Sequence, residues 1–239
     1  MKNTINGLTD AHFSQTPSLP TVQLRAAPLP GVLKYVSVHL YLVVSDGEQP
    51  WQRWEVWQWR DALRQPSLPT QIAYGHVHCN LLEPLQEIGG GPSYGIQSWQ
   101  GAAAEKIILA LKNHGATYMS RDIYWIWPGP NSNTYIARIL AYAGVKAVLP
   151  GTAIGKDWDG IFRLTFSLAP FSFVFYTPIL GAKLAWLETL ELQFLGATLG
   201  FDFQHRILKH PFGWGLWQSR LSKLGIQADG RQQEAEGKH

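Results

Sequence analysis

Residues 33–44, LKYVSVHLYLVV, are the stretch that decides the fold. They are apolar and rich in β-branched side chains, which is typical of a buried strand. The turn sequence SDGEQP follows at 45–50, and the run WQRWEVWQW at 51–59 completes the pattern of a β-hairpin. We therefore expect an antiparallel strand pair near the start of the chain.

Further strand and helix patterns follow this hairpin. Strands are predicted over 70–82, 121–127 (RDIYWIW) and 145–150 (VKAVLP), and a β-rich second half extends to about residue 203. One helix is predicted in SWQGAAAEKIILALKNHG at 98–115, and a second begins in WPGPNSNTYIARIL at 127–140 and stops at Gly144. We predict a single-domain α+β fold with a mainly antiparallel sheet and two main helices.

The ends of the chain differ in composition from its middle. Residues 1–20 are polar and contain Pro17 and Pro20, which predicts a flexible N-terminal arm. Residues 21–225 are expected to form the single α+β domain. Residues 226–239 are mostly polar and are predicted to be a disordered tail.

The composition excludes several classes of protein. The 239 residues are 46% hydrophobic and 15% charged with a net charge of +3, and no Lys/Arg run alternates with aromatic residues. A nucleic-acid partner is therefore not expected. The single cysteine, Cys79, excludes an internal disulfide. The N-terminus lacks the apolar core of a secretory signal, so we predict a cytoplasmic location.

Residues 164–182, LTFSLAPFSFVFYTPILGA, carry no charge over a length that could span a bilayer. Pro170 and Pro178 interrupt the segment, and aromatic and β-branched residues dominate it. These features favour a pair of buried strands joined near APFS. The alternative is contact with a membrane surface through residues 164–182.

His39 lies within the otherwise apolar first strand of the hairpin. A hairpin that turns about Gly47 places His39 opposite Glu55, because the two residues are equally distant from that glycine. The carboxylate would then orient the imidazole and raise its basicity. The alternative is a purely structural His–Glu pair.

The second helix begins with four polar residues, Asn131, Ser132, Asn133 and Thr134, directly after Pro-Gly-Pro. Each of them can cap a helix, and capping explains one or two of them. Exposed N–H groups at such a helix start also suit an anion or a developing oxyanion. We therefore expect either a well-capped helix or a binding site at this position.

Two further motifs offer weaker evidence of a site. His76 and His78 in GHVHCN lie on one face of a strand, but no third ligand is nearby, so we predict neither a metal site nor a cofactor. The sequence GTAIGKD at 151–157 lacks the spacing of a phosphate-binding loop. Lys156 and Asp157 form either an exposed turn or part of the site.

Three blocks of sequence resemble a known family. They are PGPNSNTYIARIL at 128–140, LPGTAIGKDW at 149–158 and LETLELQFLGATLGFDF at 187–203. Together with the VHLYLVV…RWEVWQW hairpin, they resemble the bacterial family catalogued as domain of unknown function 3750. The resemblance covers roughly residues 22–212. The family implies no established activity.

The chain is also similar, more distantly, to circularly permuted papain-like proteins. In those proteins a His on an early strand faces a Cys at the start of a later helix, and a polar residue orients the His. The resemblance implies that His39, Ser132 and Glu55 occupy these positions. Because a Ser replaces the Cys, it implies a binding pocket or a slow enzyme.

The function predicted from these features is a non-catalytic or cryptic domain that binds a small molecule or peptide in a papain-like groove. Asn131, Asn133, Thr134, Lys156 and Asp157 are the predicted binding residues. One alternative is a serine-type hydrolase or acyltransferase with Ser132 as nucleophile, His39 as base and Glu55 as the orienting group. Another is a peripheral membrane-associated protein. Whether the protein is an enzyme is left open.

Overall fold

The fold was analysed in a computed structural model that describes residues 13, 15–61 and 71–213. Within these ranges the chain forms two six-stranded sheets and two α-helices, and all strand neighbours in both sheets are antiparallel. The predicted α+β class is confirmed. The division of the strands between two sheets was not predicted.

The first sheet, sheet A, contains the predicted hairpin at its centre. Its strands lie in the order β4-β5-β3-β2-β1-β6. Their bounds are β1 Thr21–Pro28, β2 Val38–Ser45, β3 Gln52–Val56, β4 Ile72–Tyr74, β5 Val77–Cys79 and β6 Tyr94–Gln100. A short 3₁₀ helix, Gly31–Tyr35, connects β1 to β2.

Both helices, α1 (Ala102–His114) and α2 (Ser132–Tyr142), contribute to the main hydrophobic core with one face of sheet A. Leu40 and Leu42 of β2 belong to this core, as do Ile107 of α1 and Ile136 of α2. Side chains alternate along a strand, so the intervening residues His39 and Tyr41 point to the opposite face. That face is also buried, although it carries charged and polar groups.

The second sheet, sheet B, follows the helices in a simple meander. Its strands lie in the order β12-β11-β10-β9-β8-β7. Their bounds are β7 Arg163–Leu168, β8 Phe171–Tyr176, β9 Leu180–Ala185, β10 Thr189–Phe194, β11 Ala197–Asp202 and β12 Ile207–Lys209. Consecutive strands are neighbours, so short turns suffice to connect them.

The predicted strand pair in residues 164–182 is present as β7 and β8, joined at Ala169–Pro170. The expectation that these strands are buried is wrong. Phe166 is 61% exposed and Leu168 is 77% exposed, because nothing in the described part of the chain covers this face of sheet B. Within the described residues no helix combines the length and the apolar character needed to cross a bilayer.

Three strand predictions need correction. Residues 121–127 form a loop, in which the N–H of Trp125 bonds the carbonyl of Pro130 instead of a neighbouring strand. Residues 145–150 are also irregular, and the N–H of Val148 bonds the side chain of Gln97. The strand predicted over 70–82 is two short strands, β4 and β5, separated by a turn at Gly75, whose φ is +63°.

The chain ends are described only in part. Phe13 packs against Trp51 with 4.7 Å between ring centroids, and the indole N–H of Trp51 donates to the carbonyl of Gln15. This end of the arm predicted over 1–20 therefore contacts sheet A. The rest of that arm before residue 15, and the tail predicted over 226–239, lie outside the described residues.

Candidate functional site

His39 and Glu55 form a buried ion-pair cluster with Arg53 on the face of sheet A opposite the helices. The Nε2 atom of His39 lies 2.7 Å from Oε2 of Glu55, and Nη2 of Arg53 donates to the same oxygen at 2.8 Å. The three side chains are at most 2% exposed. The Arg53 guanidinium also lies 3.7 Å from the centroid of the Tyr41 ring.

The register of the hairpin differs from the predicted one. Leu42 pairs with Trp54 and Val44 with Gln52, and continuing this register beyond the end of the ladder brings Trp57 rather than Glu55 opposite His39. Accordingly, the rings of His39 and Trp57 lie 4.9 Å apart. The shift is two residues, so Glu55 stays on the same face and reaches His39 diagonally.

Electrostatics keep Glu55 ionised. Burial alone would raise the pKa of its carboxyl, but the Arg53 guanidinium and the hydrogen bond from His39 lower that pKa to about 2. Burial lowers the pKa of His39, although the bond to Glu55 opposes this shift. Near neutral pH the pair is therefore a neutral imidazole beside a carboxylate.

This charge state determines the tautomer of His39. An ionised carboxylate only accepts hydrogen bonds, so the proton of the neutral imidazole is on Nε2 and is donated to Glu55. The Nδ1 atom is then an acceptor, and no hydrogen bond to it is found within the described residues. A neutral Nδ1 is chemically able to act as a general base.

The start of α2 is capped by Asn131. Its side-chain oxygen accepts the N–H groups of Asn133 and Thr134, at 3.0 and 3.2 Å, and Oγ1 of Thr134 accepts the N–H of Asn131 in return. Two of the N–H groups expected to suit an anion are thus already bonded. Helix capping explains Asn131 and Thr134.

Asn133 ties the helix start to β2. Its side-chain oxygen accepts the N–H of Leu40 at 2.9 Å, and its amide donates to the carbonyl of Val38 at 2.9 Å. These backbone groups belong to the residues before and after His39. Asn133, which follows Ser132 in the chain, therefore connects the start of α2 directly to the backbone on both sides of His39.

The two specific blocks of sequence meet at this point. The carbonyl of Ile154 accepts hydrogen bonds from Asn131 and Asn133, and the carbonyl of Gly155 accepts one from Thr134 at 2.6 Å. Gly155 has a φ of +87°, and a Cβ atom there would lie 2.5 Å from Nδ2 of Asn131. Only glycine fits both the backbone conformation and this close approach.

Ser132 differs from its three neighbours in these contacts. It is 3% exposed, and within the described residues neither its hydroxyl nor its N–H is engaged in a hydrogen bond. No bond joins it to His39, whose Nε2 is already bonded to Glu55. The structure brings Ser132 near the backbone around His39, and the catalytic roles of the two residues stay predictions.

Lys156 and Asp157 belong to a buried polar network between the 151–157 loop and sheet B. The Lys156 ammonium bonds the carboxylates of Asp157 and Glu191, and Lys209 bonds the other oxygen of Glu191 at 2.6 Å. Burial alone would lower the pKa of Lys156, but the two carboxylates raise it. Both predicted binding residues thus have internal partners, and ligand binding by them stays a prediction.

The two histidines of GHVHCN bond the backbone beyond β3. Nδ1 of His76 donates to the carbonyl of Trp57, and Nε2 of His78 donates to that of Trp59, both at 2.8 Å. Burial raises the pKa of the neighbouring Cys79 thiol to about 12, so this thiol is unreactive. No group of three or more metal-binding side chains is found among the described residues.

A large apolar cavity opens beside the start of α2. Its volume is about 800 Å³, and 13 of the 15 described residues that line it are apolar. One wall is the β1–β2 connection, with Leu33 and Val36, and a second contains Ile126, Trp127 and Ile154. The third consists of the β10–β11 hairpin together with Pro211 and Phe212.

A match to a family model identifies the family of the chain. Residues 20–158 match the family described as Protein of unknown function (DUF3750), which is more than half of the 239 residues. The chain belongs to the DUF3750 family. Neither the curated proteins nor the solved structures contain a match. The distant similarity to papain-like proteins stays a prediction.

The DUF3750 match includes every contact between the helix start and the 151–157 loop. It contains His39, Glu55, the Asn131 cap and Gly155, and it ends at residue 158, before sheet B begins. The segments PGPNSNT and GTAIG, both inside the matched range, are therefore joined by hydrogen bonds in one junction.

The cavity was not predicted from the sequence. Its walls come from residues 29–37, 126–154 and 192–212, which are far apart in the chain. The exposed apolar residues of β10 and β11, such as Leu192 and Phe194, are the available indication, but the sequence predicts only that this region is β-rich. Only the three-dimensional packing reveals that one face of sheet B borders a cavity.

Proposed function

We propose that this DUF3750 protein is a non-catalytic binding protein for an apolar small molecule with an extended hydrocarbon part, such as a fatty acyl chain. The observation that carries the proposal is the cavity of about 800 Å³ beside α2. This volume falls within the range of roughly 300–1,000 Å³ that is typical of small-molecule sites.

The lining chemistry favours hydrocarbon over a peptide backbone. A bound peptide needs partners for its N–H and C=O groups, and Ser37 and Gln193 are the only polar side chains among the described residues that line the cavity. Leu192 is 57% exposed and Phe194 is 61% exposed at the wall formed by sheet B. Burial of these side chains by an acyl chain removes apolar surface from water, which stabilises the complex.

The polar groups nearest the cavity lie at the start of α2. Ile126 and Ile154 line the cavity, and their carbonyls accept hydrogen bonds from Asn131, the residue before Ser132. Ser37, also in the lining, directly precedes the strand that carries His39. A ligand with its hydrocarbon part against sheet B would thus have its polar group near the helix start.

A titration with a fluorescent fatty acid tests the proposal. The full chain is expected to bind the probe, and an Ala197→Trp substitution is expected to weaken binding because the indole fills cavity space. A loss of about 1.4 kcal/mol in binding free energy corresponds to a tenfold weaker complex. The matched control is Ala102→Trp, at an exposed position at the start of α1.

Two outcomes would refute the proposal. One is the absence of saturable binding by the folded wild-type chain. The other is equal affinity in the wild type and the Ala197→Trp variant, which would locate the probe outside the cavity. Far-ultraviolet circular dichroism establishes that each variant is folded.

A second candidate function is serine-type acyl transfer or hydrolysis by Ser132. Glu55 holds Nε2 of His39, which leaves Nδ1 as a base, but the His39 side chain points to the face of sheet A opposite α2, so His39 could reach Ser132 only around the end of β2. Asn133 ties the helix start to the backbone on both sides of His39. An acyl chain in the neighbouring cavity would present its carbonyl group to this region.

A fluorophosphonate probe separates this candidate from simple binding. A catalytic Ser132 is expected to be labelled, and labelling should disappear in Ser132→Ala and persist in the control Ser120→Ala, which changes another buried serine. If the wild type is not labelled while it binds the fatty acid, the acyl-transfer candidate is excluded and the binding function stands.

A further inference from the structure

The apolar face of sheet B that borders the cavity at β10 and β11 continues over β7, β8 and β9, where nothing in the described structure covers it. Six side chains from four of its strands define what we call the outer patch: Leu164, Phe166, Leu168, Phe171, Leu180 and Leu190. Their exposed fractions range from 36 to 77%. None of the six lines the cavity beside α2.

The outer patch is continuous across the sheet. Phe166 pairs with Phe173, Phe173 with Leu184, and Leu184 with Leu190, so one unbroken row of apolar side chains crosses four strands. Alternation places the polar and charged residues of these strands, such as Glu191, on the opposite face. Monomeric soluble proteins rarely leave so large an apolar patch in contact with water.

We propose that the outer patch is the contact surface between two copies of this chain, packed sheet against sheet about a twofold axis. This inference does not depend on what the cavity binds. A twofold contact uses the same patch on both copies, so the surface must complement itself. A patch without any charged residue meets this condition, because no like charges are brought together.

The area of the outer patch matches that of a stable dimer. Large apolar side chains have roughly 150–250 Å² of surface each, so the exposed fractions correspond to about 700 Å². Phe173, Phe175 and Leu184, which lie between the six and are partly exposed, add to this area. Stable interfaces bury about 800 Å² per partner. Aligned packing of two sheets is also a common way to bury such faces.

The charged residues near the outer patch favour contact with a second copy of the chain over contact with a bilayer. Peripheral membrane binding combines an apolar surface with Lys and Arg side chains that contact anionic lipids. Lys183 points to the opposite face of sheet B, between Ala182 and Leu184, and Arg163 is paired with Asp159. The patch therefore lacks the basic border that a lipid surface would contact.

Light scattering coupled to size-exclusion chromatography of the full chain tests the inference. The wild type is expected to elute with twice the mass of one chain at micromolar concentration. Phe166→Glu and, separately, Leu168→Lys are expected to weaken dimerisation by at least about tenfold, because each buries an unpaired charge in the interface. Met119→Glu is the control, since Met119 is 87% exposed outside the patch.

Each contrary outcome overturns the inference. A wild type that is monomeric at these concentrations contradicts it, and so does a dimer that both patch variants preserve. A monomer that floats with vesicles of phosphatidylcholine and phosphatidylglycerol would show that the patch contacts lipid instead. Val36→Trp, on a cavity wall that does not belong to sheet B, is expected to leave the dimer intact, so failure of the dimer and failure of cavity binding are separate results.

Discussion

The imidazole of His39 bonds the carboxylate of Glu55 at 2.7 Å although the two residues are not opposite each other in the β2–β3 ladder. The bond is diagonal, and Arg53 holds the same carboxylate oxygen at 2.8 Å. The result is a buried cluster in which one negative charge is shared by two donors. Its stability depends on keeping Glu55 ionised.

Acid is expected to destabilise the protein through Glu55. Its pKa is about 2 when folded and near the ordinary 4.5 when unfolded, so the unfolded chain binds the proton first as pH falls. The stabilisation is complete above pH 4.5 and is lost as pH falls toward 2. For this shift the loss is about 3 kcal/mol.

Denaturant unfolding at several pH values measures this contribution. Glu55→Gln is expected to be less stable than the wild type at pH 7 and to lose less stability between pH 4.5 and 2. Glu105→Gln, at an exposed position on α1, serves as the control. If Glu55→Gln and the wild type lost the same unfolding free energy between pH 4.5 and 2, ionisation of Glu55 would not be the cause of the acid destabilisation.

Asn133→Ala is expected to destabilise the fold by about 3 kcal/mol, because it leaves the buried N–H of Leu40 without its acceptor and removes the donor to Val38 and Ile154. Asn113→Ala, on the exposed side of α1, should change the free energy of unfolding by less than about 0.5 kcal/mol. Similar effects of the two substitutions would contradict a special role for Asn133.

Gly155→Ala is expected to disrupt the Asn131 cap. An added Cβ would lie 2.5 Å from Nδ2 of Asn131, and the φ of +87° is unfavourable for alanine. Gly160 has a φ of +93°, but no neighbouring atom lies within 4 Å of such a Cβ. Gly160→Ala therefore measures only the destabilisation that comes from placing alanine in this backbone conformation. That destabilisation is about 1–2 kcal/mol.

Thermal or denaturant unfolding of the two glycine variants isolates the steric effect. Gly155→Ala should be less stable than Gly160→Ala by roughly 1–3 kcal/mol, which is typical of overpacking. An equal decrease in the free energy of unfolding in the two variants would mean that Asn131 and the 151–157 loop rearrange around the added methyl group without loss of stability.

Local patterns predicted the hairpin, both helices and the β7–β8 pair. The period of two along a strand was enough to place His39 and Glu55 on one face, even though the predicted register was wrong by two residues. Capping chemistry likewise identified the start of α2 from Asn131 to Thr134. In each case the decisive interactions lie close together in the chain.

Features that depend on distant residues were not predictable in the same way. The apolar pattern of 121–127 resembles a strand, but no neighbouring strand is available there and the segment becomes a cavity wall at Ile126 and Trp127. The role of Asn133 depends on the backbone of β2 at Leu40, which is 93 residues earlier in the chain than Asn133. The exposure of Phe166 depends on what packs above sheet B, which a strand's own sequence does not encode.

Photoaffinity labelling tests the central claim, the binding of an apolar ligand in the cavity, most directly. A fatty acid with a diazirine near the end of its chain would be activated on the full-length protein, and the labelled peptides would be identified by mass spectrometry. We expect the label in residues 192–199, with loss of labelling when an unlabelled fatty acid competes. Labelling confined to β7 and β8, or labelling that no competitor reduces, would contradict the account.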